Sequence, residues 1–428
     1  MGWLSEHWSE LISRVRGEQS GSMRADLMDW FSERWNDLES RLRGEPSTSM
    51  ETHEKLVAIS ALPSRDDLMQ RLNAPPDKIS PFFLPEPIAG NGLLIGREAE
   101  LRQLEEALAQ WLEGHPCSLV LVGPQGCGKT SLVNCFLQNI GEEFQILRGR
   151  IDRRLESQQA VVDFLSELFG FKDHVEDTPA LISRIQELPP GLIILDGGHN
   201  LLLRIIGGRQ AAETFFYILL ATRRRHLWLL TCRRWPWQNL CRHVHADTYF
   251  THKIPLDAPD QAHQREALER RAEQAGIELH FAERGREVES EDDKEKLQEE
   301  IAAGFYRDLF AASGGNLRAA LYFWLLSSQF EDEGKRVVLH PPGQLDTRFI
   351  RDLERDHLLS LAEIAGHGIL SPREHQRIFR VDVLTSRLTF TLLYQLRLIE
   401  PICDGTADDD TPYSLDSVTQ HAVTAMLD

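Results

Sequence analysis

The chain has 428 residues, room for two or three domains of about 100 to 200 residues each, and 42% of them are hydrophobic, enough for sizeable cores. That excludes both a small disulfide scaffold and a globally disordered polymer. With 47 basic against 66 acidic side chains the net charge is −19, so the molecule as a whole repels phosphate backbones and anionic membrane surfaces, and any nucleic-acid contact must come from a local basic patch. No apolar run reaches the roughly 18 to 20 residues that span a bilayer, and Glu6 and Glu10 sit where a secretory leader would be basic and then apolar. A cytoplasmic location is expected, with membrane attachment not expected. The six cysteines (117, 127, 135, 232, 241, 403) lack CxxC spacing and read as reduced core thiols, not zinc ligands.

The first element in the chain is a duplication. Residues 1–23 align without gaps on 28–50, and 14 of the 23 pairs are identical, among them Trp3/Trp30, Trp8/Trp35 and Leu11/Leu38. Apolar residues fall at helical spacing in each copy (Leu4, Trp8, Leu11, Val15; Phe31, Trp35, Leu38, Leu42), and Gly17 or Gly44 follows where a helix favours glycine at its C-terminus. The repeats of 1–50 therefore predict two short amphipathic helices. Residues 51–92 read as a partly helical stretch followed by a linker or strap rich in proline. From 93 to 257 apolar strands alternate with amphipathic helices, the strand candidates being 118–122, 144–149, 191–195, 227–231 and 249–254. This is the layout of a parallel α/β sheet. Residues 258–345 read as helical through 330, with a charged segment at 283–300 that faces water. In 346–428 three helical patterns, the second opened by Ser371-Pro372 as cap and first turn, precede a hairpin joining Leu398–Pro401 to Tyr413–Leu415, an order that suggests a winged helix.

Chemistry enters at Gly123-Pro124-Gln125-Gly126-Cys127-Gly128-Lys129-Thr130, which follows the apolar run 118–122 and precedes an amphipathic helix beginning at Ser131. This is GxxxxGK[ST] in the strand, loop, helix context that a phosphate-binding loop requires. The glycines let backbone N–H groups turn inward around the β-phosphate, the helix N-terminus adds its positive end, Lys129 reaches the β- and γ-phosphates, and Thr130 holds magnesium. Downstream, the apolar run Leu192-Ile193-Ile194-Leu195 ends in Asp196, the form of a Walker B element whose carboxylate holds a magnesium-bound water. The expected cofactors are ATP and Mg2+.

These motifs, with Leu94-Ile95-Gly96-Arg97-Glu98 upstream of the loop, resemble the AAA+ ATPases and the related STAND switch ATPases, most of all the branch of replication initiators and transposition regulators. The resemblance implies a P-loop core over 93–257, a helical lid over 258–345 and a winged helix over 346–428, and does not cover 1–90. It implies Ile95, Gly96 and Arg97 on the adenine side. It makes Thr231, in Trp228-Leu229-Leu230-Thr231, a polar sensor at a strand end, and Arg318, in Gly314-Gly315-Asn316-Leu317-Arg318, the lid's contact with the γ-phosphate. Most hydrolysing relatives follow the Walker B aspartate with a glutamate that orients water, and here the next residue is Gly197, with His199 the nearest polar substitute. Losing such a base removes a factor of roughly 10² to 10⁴ in rate, which implies tight binding and slow hydrolysis. Arg223, Arg224 and Arg225 do not define an arginine finger.

Two functional readings follow. The leading one is a nucleotide-controlled AAA+/STAND-type switch, forming homo-oligomers with nucleotide and engaging a protein partner through repeats 1–50. The alternative is a DNA-associated AAA+ ATPase of the initiator or transposition type. Residues 371–428 hold five arginines and no lysine against nine acids, which disfavours nucleic acid, although Arg233, Arg234 and Arg242 with Trp235 and Trp237 form one local basic and aromatic cluster.

Overall fold

The computed structural model describes residues 56–58, 80–83, 86–88, 90–140, 145–282, 291–402 and 408–427. The duplicated segment 1–50, most of the proline-rich stretch, the start of the charged segment and Cys403 lie outside the described residues.

Five strands form the central sheet: β1 (Ser118–Val122), β2 (Gln145–Arg150), β3 (Gly191–Asp196), β4 (His226–Cys232) and β5 (His252–Pro255). Their order is β2-β3-β4-β1-β5, and every neighbouring pair is parallel. Unbroken apolar runs such as Leu192–Leu195 and Leu227–Leu230 are buried, because a parallel sheet is covered on both faces. One cover is α1 (Glu98–Leu112) with α2 (Lys129–Ile140), which pack Leu104, Trp111, Leu132 and Phe136 against Leu119, Leu121 and Leu229. The other is α3 (Gln158–Leu168), α4 (Thr178–Glu187), α5 (Gln210–Thr222) and α6 (Arg234–Val244), with Phe215, Phe216 and Leu181 against Val120, Ile193 and Trp228. Ser157 and Asp177 fix the starts of α3 and α4 by accepting the N–H groups of Ala160 and Ala180. The last strand starts at His252, later than its apolar pattern begins, because Ala246–Thr248 forms a turn of 3-10 helix first.

The region after the sheet is not all helical, contrary to the reading of its sequence. Helices α7 (Gln261–Ala275), α8 (Glu291–Ser313) and α9 (Leu317–Ser327) carry a three-stranded sheet of β6 (Glu278–Phe281), β7 (Ser328–Glu331) and β8 (Arg336–Leu339), in the order β6-β8-β7. Four-residue strands are too short to show a period of two, and the punctuation lies in Gly276 (φ +67°), which ends α7 in the left-handed region, and Gly334 (φ +84°) between β7 and β8. Trp324 and Phe323 are buried in this layer, and Phe83 from the proline-rich stretch stacks on Trp324 at 4.0 Å.

The chain ends in a winged-helix order: α10 (Arg355–His367), α11 (Pro372–Phe379), α12 (Val383–Gln395), an antiparallel pair of β9 (Ile399–Pro401) with β10 (Tyr413–Leu415), and α13 (Gln420–Leu427). Ser371 and Glu374 exchange hydrogen bonds as a capping box at the start of α11. The five described cysteines are free thiols, four of them buried. Among the described residues no helix is long and apolar enough to cross a membrane.

Candidate functional site

The chain reverses from β1 into α2 through a loop that only glycine allows. Gly126 and Gly128 have φ of +80° and +94°, a region that L side chains rarely adopt. A Cβ on Gly123 would stand 2.6 Å from both Cys127 Sγ and the Leu256 carbonyl. The result is a cradle of backbone N–H groups at the N-terminus of α2, which suits phosphate. Lys129 opens that helix, and its Nζ donates to the carbonyls of Gly123 (2.8 Å) and Pro124 (2.7 Å), which holds the ammonium across the loop. Arg97, 8% exposed, braces the loop from behind by donating to the carbonyls of Asp257 (2.6 Å) and Cys127 (3.4 Å) while paired with Glu100 (2.8 Å).

The ends of β3 and β4 form the opposite wall. Leu195 pairs with Leu230 across the sheet, so Asp196 comes to lie beside Thr231, whose hydroxyl donates to Asp196 Oδ1. Thr130 and Asp196 line one cleft and are the oxygen donors that a nucleotide-bound magnesium would use. Among the described residues no three His, Cys, Asp or Glu side chains converge as a metal site. Gly197 has φ +96°, and a Cβ there would stand 2.4 Å from the Ile151 carbonyl. The position after Asp196 therefore has no room for a side chain. His199 does face the cleft. Burial, then the positive charges of Arg233, Arg154, Lys129 and Arg150, hold its pKa well below the usual histidine range, so the imidazole is neutral near pH 7.

The lid closes the cleft from above. Asn316 caps α9 by accepting the N–H groups of Arg318 and Ala319 and donates from Nδ2 to the Gln125 carbonyl at 2.6 Å, which locks the lid to the phosphate loop. Gln420 of α13 donates to the same carbonyl at 3.1 Å. The missing Cβ of Gly126 would lie 2.8 Å from Arg318 Cβ, so Arg318 stands over the loop's turn. On the remaining side the strap 86–88 runs along α2, its Ile88 N–H donating to Ser131 Oγ (3.2 Å) and its Ile88 carbonyl accepting from Asn134 (2.9 Å).

Of the residues singled out from sequence, Gln125, Gly126, Gly128, Lys129, Thr130, Ser131, Asp196, His199, Thr231 and Arg318 share the cleft. Gly123, Pro124 and Cys127 build the loop behind it, with Cys127 buried. Ile95 is half-buried and Gly96 abuts the ring of His263; these two and Arg97 are outside the cleft wall. Arg223 and Arg225 bond to the carbonyls of Tyr249 and Leu188 within the same domain. The basic and aromatic cluster dissolves in three dimensions: Trp237 packs on Phe250 inside the core, Arg234 faces Asp257, and Arg233 turns into the cleft.

Arg233 is a contributor that sequence reasoning assigned to a basic and aromatic cluster instead, although it lies two residues beyond Thr231. Burial pushes its pKa down to about 10, opposed by the charge of Asp196. Its guanidinium donates to the Gly368 carbonyl in the turn after α10. A second arginine makes the same connection: Arg154, from the loop after β2, donates to the carbonyls of His199 (2.6 Å) and Leu202 (3.0 Å), to the Ile369 carbonyl (2.6 Å) and to Glu374 (2.9 Å). The winged helix is thus bolted to the loops that carry Asp196, His199 and Thr231. Within it, Arg387 of α12 is paired with Asp409 through two bonds of 2.9 and 2.7 Å and Arg373 of α11 with Asp410, so the acidic turn pairs with one arginine from each of two helices.

Residues 93–220 match the AAA ATPase domain family. The match includes the phosphate loop and Asp196, ends before Thr231 and does not reach residues 1–50. No curated protein sequence matches the chain. Among solved structures it is similar to the ORC2 protein of Aeropyrum pernix in ADPNP-ADP complexes (16% identity, 78% of this chain and 95% of that one, TM-score 0.41). It is also similar to the ORC1 protein of the same organism in complex with DNA (16%, 81% and 97%, 0.42) and to Cdc6p of Pyrobaculum aerophilum (14%, 81% and 97%, 0.43). The chain carries an AAA+ P-loop ATPase domain.

Proposed function

We propose that this AAA+ ATPase is of the initiator type, binding ATP with magnesium in the cleft between core and lid, hydrolysing it slowly, and passing its nucleotide state to the docked winged helix. The observation that supports it most is the convergence of Lys129, Thr130, Asp196, Thr231 and Arg318 on one cleft whose water-orienting position, Gly197, admits no side chain. Positioning and electrostatics alone then accelerate the reaction. Magnesium would be held by Thr130 and Asp196, with His199 a neutral polar group close by. The test is calorimetry of ATP with Mg2+: Lys129→Ala should abolish measurable affinity, since it removes charge-assisted bonds worth about 1.5 to 3 kcal/mol each. The purified protein should turn over below about 1 s⁻¹. Unchanged affinity in the variant, or fast turnover, refutes the reading.

The domain order of core, lid and winged helix favours DNA association over a purely protein-directed switch. Because the acidic turn neutralises Arg387 and Arg373, contact with duplex would use other surfaces, and binding to mixed duplex with ATP should weaken steeply as salt rises, since phosphate contacts release counterions. Engagement of a protein partner through repeats 1–50, and nucleotide-dependent homo-oligomers, stand beside this on the duplicated segment and the family resemblance alone.

A further inference from the structure

Helix α7 carries an arginine that the chemistry of the cleft has not yet used. Arg271 is 4% exposed and lines the cleft. One terminal nitrogen donates to the Ala267 carbonyl of its own helix at 2.8 Å, while Nε has no partner, and no carboxylate among the described residues pairs with it. Burial pushes its pKa down to about 10 with no neighbouring charge opposing the shift. Arg154, comparably buried, has Glu374 and three carbonyls. A guanidinium withdrawn from water without a counter-ion is costly, and the protein's own residues do not offset that cost.

The surroundings indicate what would. The cleft gathers Lys129, Arg150, Arg233, Arg271 and Arg318 against two carboxylates, Asp196 and Glu86, an excess of cation that suits a polyphosphate. These cations are not in one place. Arg318 stands over the turn at Gly126, and the resemblance makes it the lid's contact with the γ-phosphate. Arg271 comes from a different helix and shares the cleft with Ser131 and the strap at Glu86 and Pro87. Ser131 lies one residue beyond Thr130 into α2, so if Lys129 and Thr130 take the terminal phosphates, a phosphate beside Ser131 would be the one nearer the sugar.

We propose that Arg271 is a further nucleotide-binding residue whose guanidinium pairs with the α-phosphate, the group that ATP and ADP share. This rests on the ATP-binding reading above. The experiment is calorimetry of ATP and of ADP on the full chain, with thermal melts of the protein alone, for wild type, Arg271→Met, Arg271→Lys, Arg318→Ala and Lys129→Ala. Methionine keeps much of the length and removes the charge. Affinity for ATP and ADP should fall by the same factor, about 10- to 100-fold for one or two charge-assisted bonds, and lysine should restore part of it. The melting temperature of Arg271→Met without nucleotide should hold or rise, since a buried unpaired charge is gone, whereas a structural arginine would lower it. Arg318→Ala should weaken ATP more than ADP. Should the methionine variant not fold, the lysine variant carries the comparison, with a smaller but still equal loss for both nucleotides. A loss confined to ATP, unchanged affinity, or a lower melting temperature with unchanged affinity overturns the proposal. If the wild type shows no Lys129-dependent ATP binding, the cleft reading falls and this proposal with it; if it does and Arg271→Met binds normally, only this proposal falls.

Discussion

Replacing Arg154 by methionine should loosen the winged helix from the ATPase core more than any other single change at that contact. The side chain is 6% exposed, and its donors are distributed among Glu374 (2.9 Å), the carbonyls of His199 (2.6 Å) and Leu202 (3.0 Å) on the core, and the Ile369 carbonyl (2.6 Å) on the winged helix. Methionine fills part of the volume but leaves three carbonyls without this donor and a carboxylate that is 14% exposed without its cation. Breaking such a buried pair from one side costs about 3 to 5 kcal/mol, or a factor of about 10² to 10⁴ in the docking equilibrium. The neighbouring pair Arg377–Glu156 is the internal control. It has two bonds of 2.6 Å, shorter than any that Arg154 makes to Glu374, but its partners are 41% and 38% exposed. Solvent screening limits it to about 0 to 1 kcal/mol. Urea denaturation should therefore rank Arg154→Met far below Arg377→Met in stability, and limited proteolysis should cut the 340–354 connection sooner in the first variant. Equal costs for the two, or a loss under about 1 kcal/mol for Arg154→Met, would show that burial does not set the strength of this contact.

Gly197→Glu should fail to install a catalytic base: with φ +96° and a Cβ 2.4 Å from the Ile151 carbonyl, the strain costs about 1 to 3 kcal/mol, and faster turnover at an unchanged melting temperature would contradict this. Burial holds His199, His226, His252, His357, His375 and His421 below the ordinary 6.5, His375 at about 4. The folded chain thus refuses protons that the unfolded chain accepts, and stability is complete above that ordinary value and falls as pH drops towards about 4. His375→Gln, which keeps partners for Ser360 and Ser386, should flatten that slope, and an identical slope in urea midpoints against pH would disprove the assignment. Deleting residues 1–50 should leave ATP affinity and melting temperature nearly unchanged while abolishing recovery of a partner in pull-downs; a loss of several degrees would place the Trp3/Trp8 and Trp30/Trp35 faces in the core.

The sequence made the central sheet and the phosphate loop legible because both are local signals. Five apolar runs announce five strands, and GxxxxGK[ST] between a strand and a helix specifies its own geometry. The lid's small sheet was hidden because strands such as Ser328–Glu331 are too short for periodicity, and Glu278–Phe281 pairs with Arg336–Leu339 only beyond two intervening helices. The departure at Gly197 could be read as a missing base, but its cause, the approach of the Ile151 carbonyl, is a contact across 46 residues of sequence. Arg154 and Arg271 looked like any of the chain's other arginines, and Arg233 was legible only as part of a basic and aromatic cluster. What distinguishes them is burial and partners, and in a net-acidic chain with many arginines neither composition nor spacing carries that information.

Arg154 and Arg233 make the nucleotide cleft and the winged helix one mechanical unit. They leave the core at different places, the loop after β2 and the end of β4, and they grip the successive carbonyls of Ile369 and Gly368. Arg154 also holds the His199 carbonyl, and Arg233 senses the charge of Asp196. A phosphate arriving beside Asp196 presents Arg233 with an anion that competes with a neutral carbonyl, and charge-assisted bonds are about twice as strong as neutral ones. Arg154 faces no such competitor, being saturated by Glu374 and carbonyls. Nucleotide would therefore act on one of the two bolts and leave the other closed, so its arrival would shift the turn at Gly368 without freeing the domain. In Arg154→Met the second bolt is gone, and there ATP should promote undocking that it does not promote in the wild type.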